Sequence, residues 1–238
     1  MLLIRARYCL LLIAALLSAS VWGQAAVLHQ DNFISMDRWI HGSFPKIDQH
    51  TDYRIVMVYG QNALQASADA SASYLRFDTV YSLRDYPLLR WSWLVESVYE
   101  NGDGTRKSGD DFPLRVYVIF EYEPEQAKWS ERLLYSAARL VYGEYPPHSA
   151  LSYVWESRGA VGRVIINPYS DKARQIVLRS GPASPGEWQE EAVNVLEDYR
   201  RVFGSEPPER ATLAIMSDAD NTGEATVAYI RFIQITAE

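Results

Sequence analysis

The chain has 238 residues, 48% of them hydrophobic and 22% charged, the composition of a folded chain with a large core rather than of a disordered, collagenous or low-complexity one. Acidic residues outnumber basic ones 30 to 23, for a formal charge of -7. That balance disfavours nucleic acid and anionic membrane surfaces as partners, because both call for a positive face that releases counterions.

The first seven residues, MLLIRAR, are short and basic, residues 8–17 form an apolar run, and residues 18–20 are small. This is the pattern of a secretory signal peptide over 1–25, with cleavage between 20 and 26; an uncleaved anchor is the alternative. The run is shorter than the ~20 residues of a membrane span and no second one follows, so no transmembrane segment is expected after cleavage. A periplasmic or secreted location is expected. The single cysteine, Cys9, falls inside the leader, so the exported chain is expected to carry neither disulfides nor thiolate chemistry, which suits a bacterial periplasm.

From about residue 31 onward, short alternating runs are set off by Gly, Pro, Asp and Asn. Strands are predicted at 53–59, 62–67, 73–80, 88–98, 114–122, 151–156, 163–166, 174–180, 211–217 and 225–235. Their spacing and two-residue period predict an all-β, jelly-roll-like antiparallel β-sandwich, one domain over 27–238. Two short helices interrupt it. One is predicted over 130–141, with Leu133, Leu134, Ala137, Ala138 and Val141 on one stripe and Gly143 as its stop. The other, over 194–203 with Gly204 as C-cap, reads as a crossover. The polar, Gly-rich stretch 100–111 is a loop of the length where binding residues concentrate.

Along 112–122 the two-residue period puts Phe112, Leu114, Val116, Val118 and Phe120 on a core face. Arg115, Tyr117, Ile119 and Glu121 fall on the other, a mixture suited to lining a cleft. Trp91 and Trp93 share a core face with Leu89 and Val95. Trp155, on one face with Tyr153, reads either as sandwich core or as a ring for stacking on a sugar. With 16 Tyr and 7 Trp, an acidic, exported sandwich leans toward glycan contact.

Asp110 and Asp111 stand side by side before a strand, with Arg115 four residues after Asp111. An Asp111–Arg115 pair at the strand entrance would hold a substrate or tune a general acid; the alternative is an Asx turn with a surface ion pair. The segment SDADNTGEA, residues 217–225, brings Asp218, Asp220, Asn221 and Thr222 into a turn relieved by Gly223. Alternate oxygens in such a turn could surround a Ca2+ ion, through Asp218, Asp220 and Thr222. The glutamate that would close an EF-hand loop is Tyr229 here, and a hairpin turn whose Asp and Asn bond backbone amides is the alternative. The four histidines are dispersed without metal-ligand spacing.

Several blocks carry a resemblance: GDDFPLRVYVIF (109–120), LSYVWES (151–157), INPYSDKARQIVLRSG (166–181), the 188–204 block ending EDYRRVFG, and AIMSDADNTG (214–223). In this order they resemble the bacterial domain of unknown function 3047 family across almost the whole exported chain. The resemblance implies an exported bacterial context and transfers no catalytic role to any residue. Three readings of function follow. In the first, the chain binds a polysaccharide or cell-envelope glycan, with Arg115, Tyr117, Trp155 and Asn221 as ligand contacts. In the second it cleaves a glycan as a hydrolase or lyase, with Asp110 or Asp111 facing Asp218 or Asp220 across the bond. In the third it is a structural or assembly protein of the envelope without a small-molecule site. No motif sets an oligomeric state.

Overall fold

The computed structural model describes residues 25–125, 127–142, 145–182 and 186–238. The leader up to residue 24 and the Gly143 helix stop lie outside them. In chain order the strands are β1 (Val27–Asp31), β2 (Trp39–Gly42), β3 (Asp52–Val58), β4 (Gln61–Asp69), β5 (Ala72–Phe77), β6 (Tyr81–Ser82) and β7 (Leu88–Val95). After a long connection come β8 (Arg115–Phe120), helix α1 (Trp129–Tyr142), β9 (Ser149–Glu156), β10 (Val164–Ile166), β11 (Ala173–Ser180) and β12 (Gln189–Asn194). Helix α2 (Val195–Phe203), β13 (Arg210–Asp218) and β14 (Ala225–Thr236) complete the fold.

Among the described residues these strands build two sheets. The six-stranded one runs β12-β7-β14-β4-β3, with β1 also on β14; the eight-stranded one runs β10-β11-β9-β8-β13-β5-β2, with β6 on β13. The architecture is the expected jelly-roll-like β-sandwich. One pair departs from the all-antiparallel expectation: β9 and β11 are parallel. Antiparallel β10 makes the return trip at the sheet edge, so β11 starts from the same end as β9. The strands absent from the sequence reading, β1, β2, β6 and β12, are short or edge-bound. β12 pairs only with β7 and holds its place through backbone bonds, its sequence QEEAVN carrying little apolar signal.

Between the sheets lies an aromatic core. Trp91 and Trp93 on β7, with Leu64 and Ile230 beside them, face Val116, Val118, Tyr153, Leu213 and Ile215. Trp91 packs edge-on to Trp93 with centroids 5.5 Å apart, and Trp93 meets Trp155 at 5.7 Å. Each such ring buried contributes about 1.5–3 kcal/mol through area alone. Two of the polar ends reach the rim: Trp93 Nε1 donates to Glu191 Oε1 at 3.1 Å, and the Tyr153 hydroxyl donates to Asp198 at 3.0 Å.

Helix α2 crosses between the sheets as expected. Asn194 caps its start by accepting from the Glu197 amide, and Gly204, at φ +69°, ends it. In α1, Leu133 does not lie on a buried stripe but points to solvent. Among the described side chains of α1 it is Tyr135 that is buried, stacked on Tyr122 with centroids 3.7 Å apart. The side chains of Leu134, Ala137, Ala138 and Val141 lie outside the described ones. Among the described residues no helix is long and apolar enough to cross a membrane.

A second, smaller core of Phe112, Val154, Ile165 and Val177 sits on the outer face of the eight-stranded sheet. Residues 100–112 fold over it. Gly104 allows this, because a Cβ there would come within 2.5 Å of the Phe112 ring. One end of the outer sheet face is thereby closed and dry, while the neighbouring part stays open as a cleft.

Candidate functional site

The period-two reading holds from Leu114 onward, with Val116, Val118 and Phe120 pointing into the sandwich and Arg115 and Tyr117 outward. Phe112, expected on the same core face, lies instead in the smaller outer-face core, because the irregular segment before β8 does not keep the strand's alternation. Arg115 is nevertheless only 2% exposed, because the 100–112 segment and the β13–β14 turn cover it. A buried guanidinium must have every donor met, and this one does. Nε donates to Asp218 Oδ1 at 2.9 Å and Nη2 to Asp218 Oδ2. Nη2 also donates to the Asp110 carbonyl at 2.5 Å, while Nη1 reaches Asp110 Oδ1 at 3.4 Å and the Tyr117 hydroxyl at 3.3 Å. The Phe112 ring lies under it at 4.4 Å.

The partners of Arg115 are thus Asp110 and Asp218. The expected Asp111–Arg115 pair does not form, because Asp111 turns the other way, into the β13–β14 turn. There it accepts from the amide and side-chain nitrogen of Asn221, at 3.1 and 3.0 Å, and from the amide and hydroxyl of Thr222, at 2.6 and 2.7 Å. A bond from the Gly223 amide to the Ala219 carbonyl closes the turn, with Gly223 at φ +70°. The segment therefore builds a hydrogen-bonded turn, but not the hairpin the sequence suggested: β13 and β14 lie in different sheets, and the turn passes the chain from one to the other. Thr222 gives its hydroxyl to Asp111 and does not join Asp218 and Asp220 as a ligand. The acids that do gather are Asp111, Asp218 and Asp220, one oxygen of each within 4.8 Å of the others. They could offer three oxygens to a hard cation, but Asp111 and Asp218 are already filled by protein donors.

Asp110 is held from the far side by Gln175 Nε2 at 2.9 Å and Asn167 Nδ2 at 3.0 Å. Asn167 begins an Asx turn, accepting from the Tyr169 amide, and this presents the Tyr169 ring to solvent. The Tyr169 hydroxyl reaches back to Asn221 Oδ1 at 2.5 Å. Asp110, Arg115, Tyr117, Asp218, Asp220 and Asn221, six residues singled out in the sequence, therefore line one cleft of about 470 Å³. Loop 44–47 and the Asn167–Tyr169 turn form its other walls.

Trp155 is not among the lining residues. Its ring faces the inter-sheet core, its Nε1 donating to the Gly181 carbonyl at 2.9 Å, so it is sandwich core and no sugar platform. The residues that the sequence reading missed are Phe44, Lys46, Asn167 and Tyr169. An Asn-Pro-Tyr turn that strands an aromatic at the surface was a usable signal for the last two; Phe44 and Lys46 carry none.

The electrostatics follow from burial. Asp218 is pushed up, to about 8, by desolvation, which Arg115 opposes and the neighbouring Asp111 and Asp110 reinforce. Burial likewise raises Tyr117, to about 12. Asp220 is raised by desolvation and then by repulsion from Asp111, and its carboxylate bonds its own backbone amide. It is the one acid of the group that is exposed at the cleft.

Fold and cleft together define a β-sandwich protein with an aromatic-walled, acidic cleft on one outer sheet face. Within that class the chain belongs to the family described as Protein of unknown function (DUF3047), whose model matches residues 37–234. A search of the curated proteins found no match. Solved structures similar to this chain include the family 30 carbohydrate-binding module of a Clostridium thermocellum cellulosomal cellulase. It is 13% identical, covers 84% of this chain and 92% of that one, and has a TM-score of 0.42. Lectin I-B4 of Griffonia simplicifolia, in metal-free form, is 12% identical over 88% and 99%, with a TM-score of 0.42. Trichoderma harzianum endoglucanase 3 is 7% identical over 88% and 97%, at 0.39.

Proposed function

We propose that the chain binds a saccharide unit of a polysaccharide or cell-envelope glycan in the cleft beside Arg115. The observation that carries this reading is the convergence, in one opening of about 470 Å³, of the aromatic side chains Phe44, Tyr117 and Tyr169 with Asp220 and Asn221. Sugar rings present apolar faces to aromatics and hydroxyls to carboxylates and amides, and the volume falls in the range of small-ligand sites. Arg115, Asp110 and Asp218 serve as positioning residues, since their hydrogen-bonding capacity is spent on one another. A panel of glycans titrated at up to millimolar concentration tests the reading. Binding that Tyr169→Ala weakens at least tenfold supports it; no binding anywhere on the panel overturns it.

A second reading, glycan cleavage, is favoured by one observation: Asp218, raised to about 8, stands beside Asp220. Asp218, however, is buried with both oxygens taken up by the Phe112 amide and the Arg115 guanidinium, which leaves it no free oxygen to turn toward a glycosidic bond. Binding without turnover is therefore preferred. Release of reducing ends by the parent chain, lost in Asp220→Asn, would reverse that order. We also propose that the chain acts outside the cytoplasm, which N-terminal sequencing of exported protein checks by locating a cleavage between residues 20 and 26.

A further inference from the structure

The outer face of the other, six-stranded sheet carries its own opening. Strands β3 and β4 are joined by two residues, Tyr59 at φ +49° and Gly60 at φ +79°. Two positive angles make the mirror-image hairpin turn that ordinarily takes Asn-Gly, because a bulky side chain at the first position is strained. Burial does not repay that strain, since the Tyr59 ring is 74% exposed. A strained, solvent-facing aromatic is positioned for something outside the chain's own core.

The ring walls a groove of about 350 Å³ completed by Val58, Leu94, Glu96, Gly186 and Tyr229. A polar relay from the neighbouring strands ends on two of its lining residues, Tyr229 and Glu96. Arg54 Nε donates to Gln65 Oε1 at 2.6 Å, Gln65 Nε2 donates to the Tyr229 hydroxyl at 3.2 Å, and that hydroxyl donates to Glu96 Oε1 at 2.6 Å. Trp188 stands edge-on to Tyr229 at 6.5 Å, with the Arg231 guanidinium 5.3 Å from its ring. Arg231 sits at a register shift in β14, between Ile230 and Phe232, the kind of bulge that re-aims a side chain. The strained turn thus serves a surface that neither the cleft nor the sandwich core uses, while the Arg231 bulge lies beside it, at a separate opening with Gln61 and Asn62.

We propose that this groove is a second saccharide-binding site, on the sheet opposite the cleft, in which Tyr59 and Tyr229 stack on sugar rings and the Tyr229 hydroxyl and Glu96 bond their hydroxyls. Rings beside a phenol and a carboxylate suit a neutral polyhydroxylated chain. With a site on each face, one molecule bridges two glycan strands. The groove does not depend on the cleft's assignment.

Isothermal titration with cellohexaose and with the N-acetylglucosamine hexamer, on the full chain, tests it. Expected are a binding event that survives Tyr169→Ala in the cleft, and its loss or at least tenfold weakening in Tyr59→Asn. The same substitution should raise the melting temperature, because asparagine suits the positive φ. A merely structural tyrosine would instead lower it. Binding unchanged in Tyr59→Asn, binding and melting temperature falling together, or no hexamer binding to any form, overturns the proposal. Binding in the groove with an empty cleft leaves the groove standing and removes only the cleft reading.

Discussion

Arg115 is the residue on which the outer sheet face depends. Its five donors are divided among Asp218, Asp110 and Tyr117, so its removal would strand two buried carboxylates. Arg115→Met should destabilise the fold by about 3–5 kcal/mol in urea titration. Asp220 is the opposite case. Its carboxyl is raised by partial desolvation in the cleft and by Asp111, so the folded chain binds its proton more tightly than the unfolded chain does, and the ionised form costs stability. Asp220→Asn should therefore leave the midpoint of unfolding unchanged or higher at neutral pH while weakening ligand binding in the cleft.

At the level of elements, the β13–β14 turn and the start of β8 behave as one unit. Asp111 reaches two amides and two side chains of the turn, and the Phe112 amide donates to Asp218 at the turn's own entrance. Asp111→Ala removes charge-assisted bonds worth on the order of 2–3 kcal/mol in sum. Hydrogen exchange should show the Asn221 and Thr222 amides losing protection first, while β7 and β14 in the sandwich keep theirs. How much of this was readable in the sequence differs by element. The alternation along β8 put Arg115 and Tyr117 on one outward face, and the SDADNTG run announced a tight turn. That Asp111 caps this turn while Asp110 pairs with Arg115 was not readable, because adjacent residues of an irregular segment point wherever its fold over Phe112 sends them. Trp155 was ambiguous for a related reason: a strand's two faces are distinguishable by period, but which face meets the second sheet depends on a partner far away in the chain.

Across the whole molecule, two sets of buried groups tilt the pH dependence in opposite directions. His29 and His148 are lowered, chiefly by desolvation. The unfolded chain therefore binds the extra protons, and their contribution to stability is lost as pH falls below the ordinary histidine value near 6.5. Asp218 runs the other way. Raised from 3.8 to about 8, it binds its proton more tightly when folded, so its contribution is greatest in acid and declines as pH rises through that window. Scanning calorimetry should find a broad maximum on the acid side of neutrality and a falling midpoint as pH approaches 8.

The local code was sufficient for what depends on nearest neighbours. Two-residue alternation marks strands and their faces, Asn194 and Gly204 bound a helix, and Gly223 permits a turn, all through steric and hydrogen-bonding rules that act within a few residues. Tertiary structure alone decided what requires distant chain to meet. It made β11 run parallel to β9, sent Trp155 into the core, and closed segment 100–112 over Arg115. It also brought Asp110, Asp218 and Tyr169 to one cleft and set the strained Tyr59 against Tyr229 on the opposite sheet. Those outcomes follow from strand order and register, which are long-range packing solutions that no short window of sequence contains.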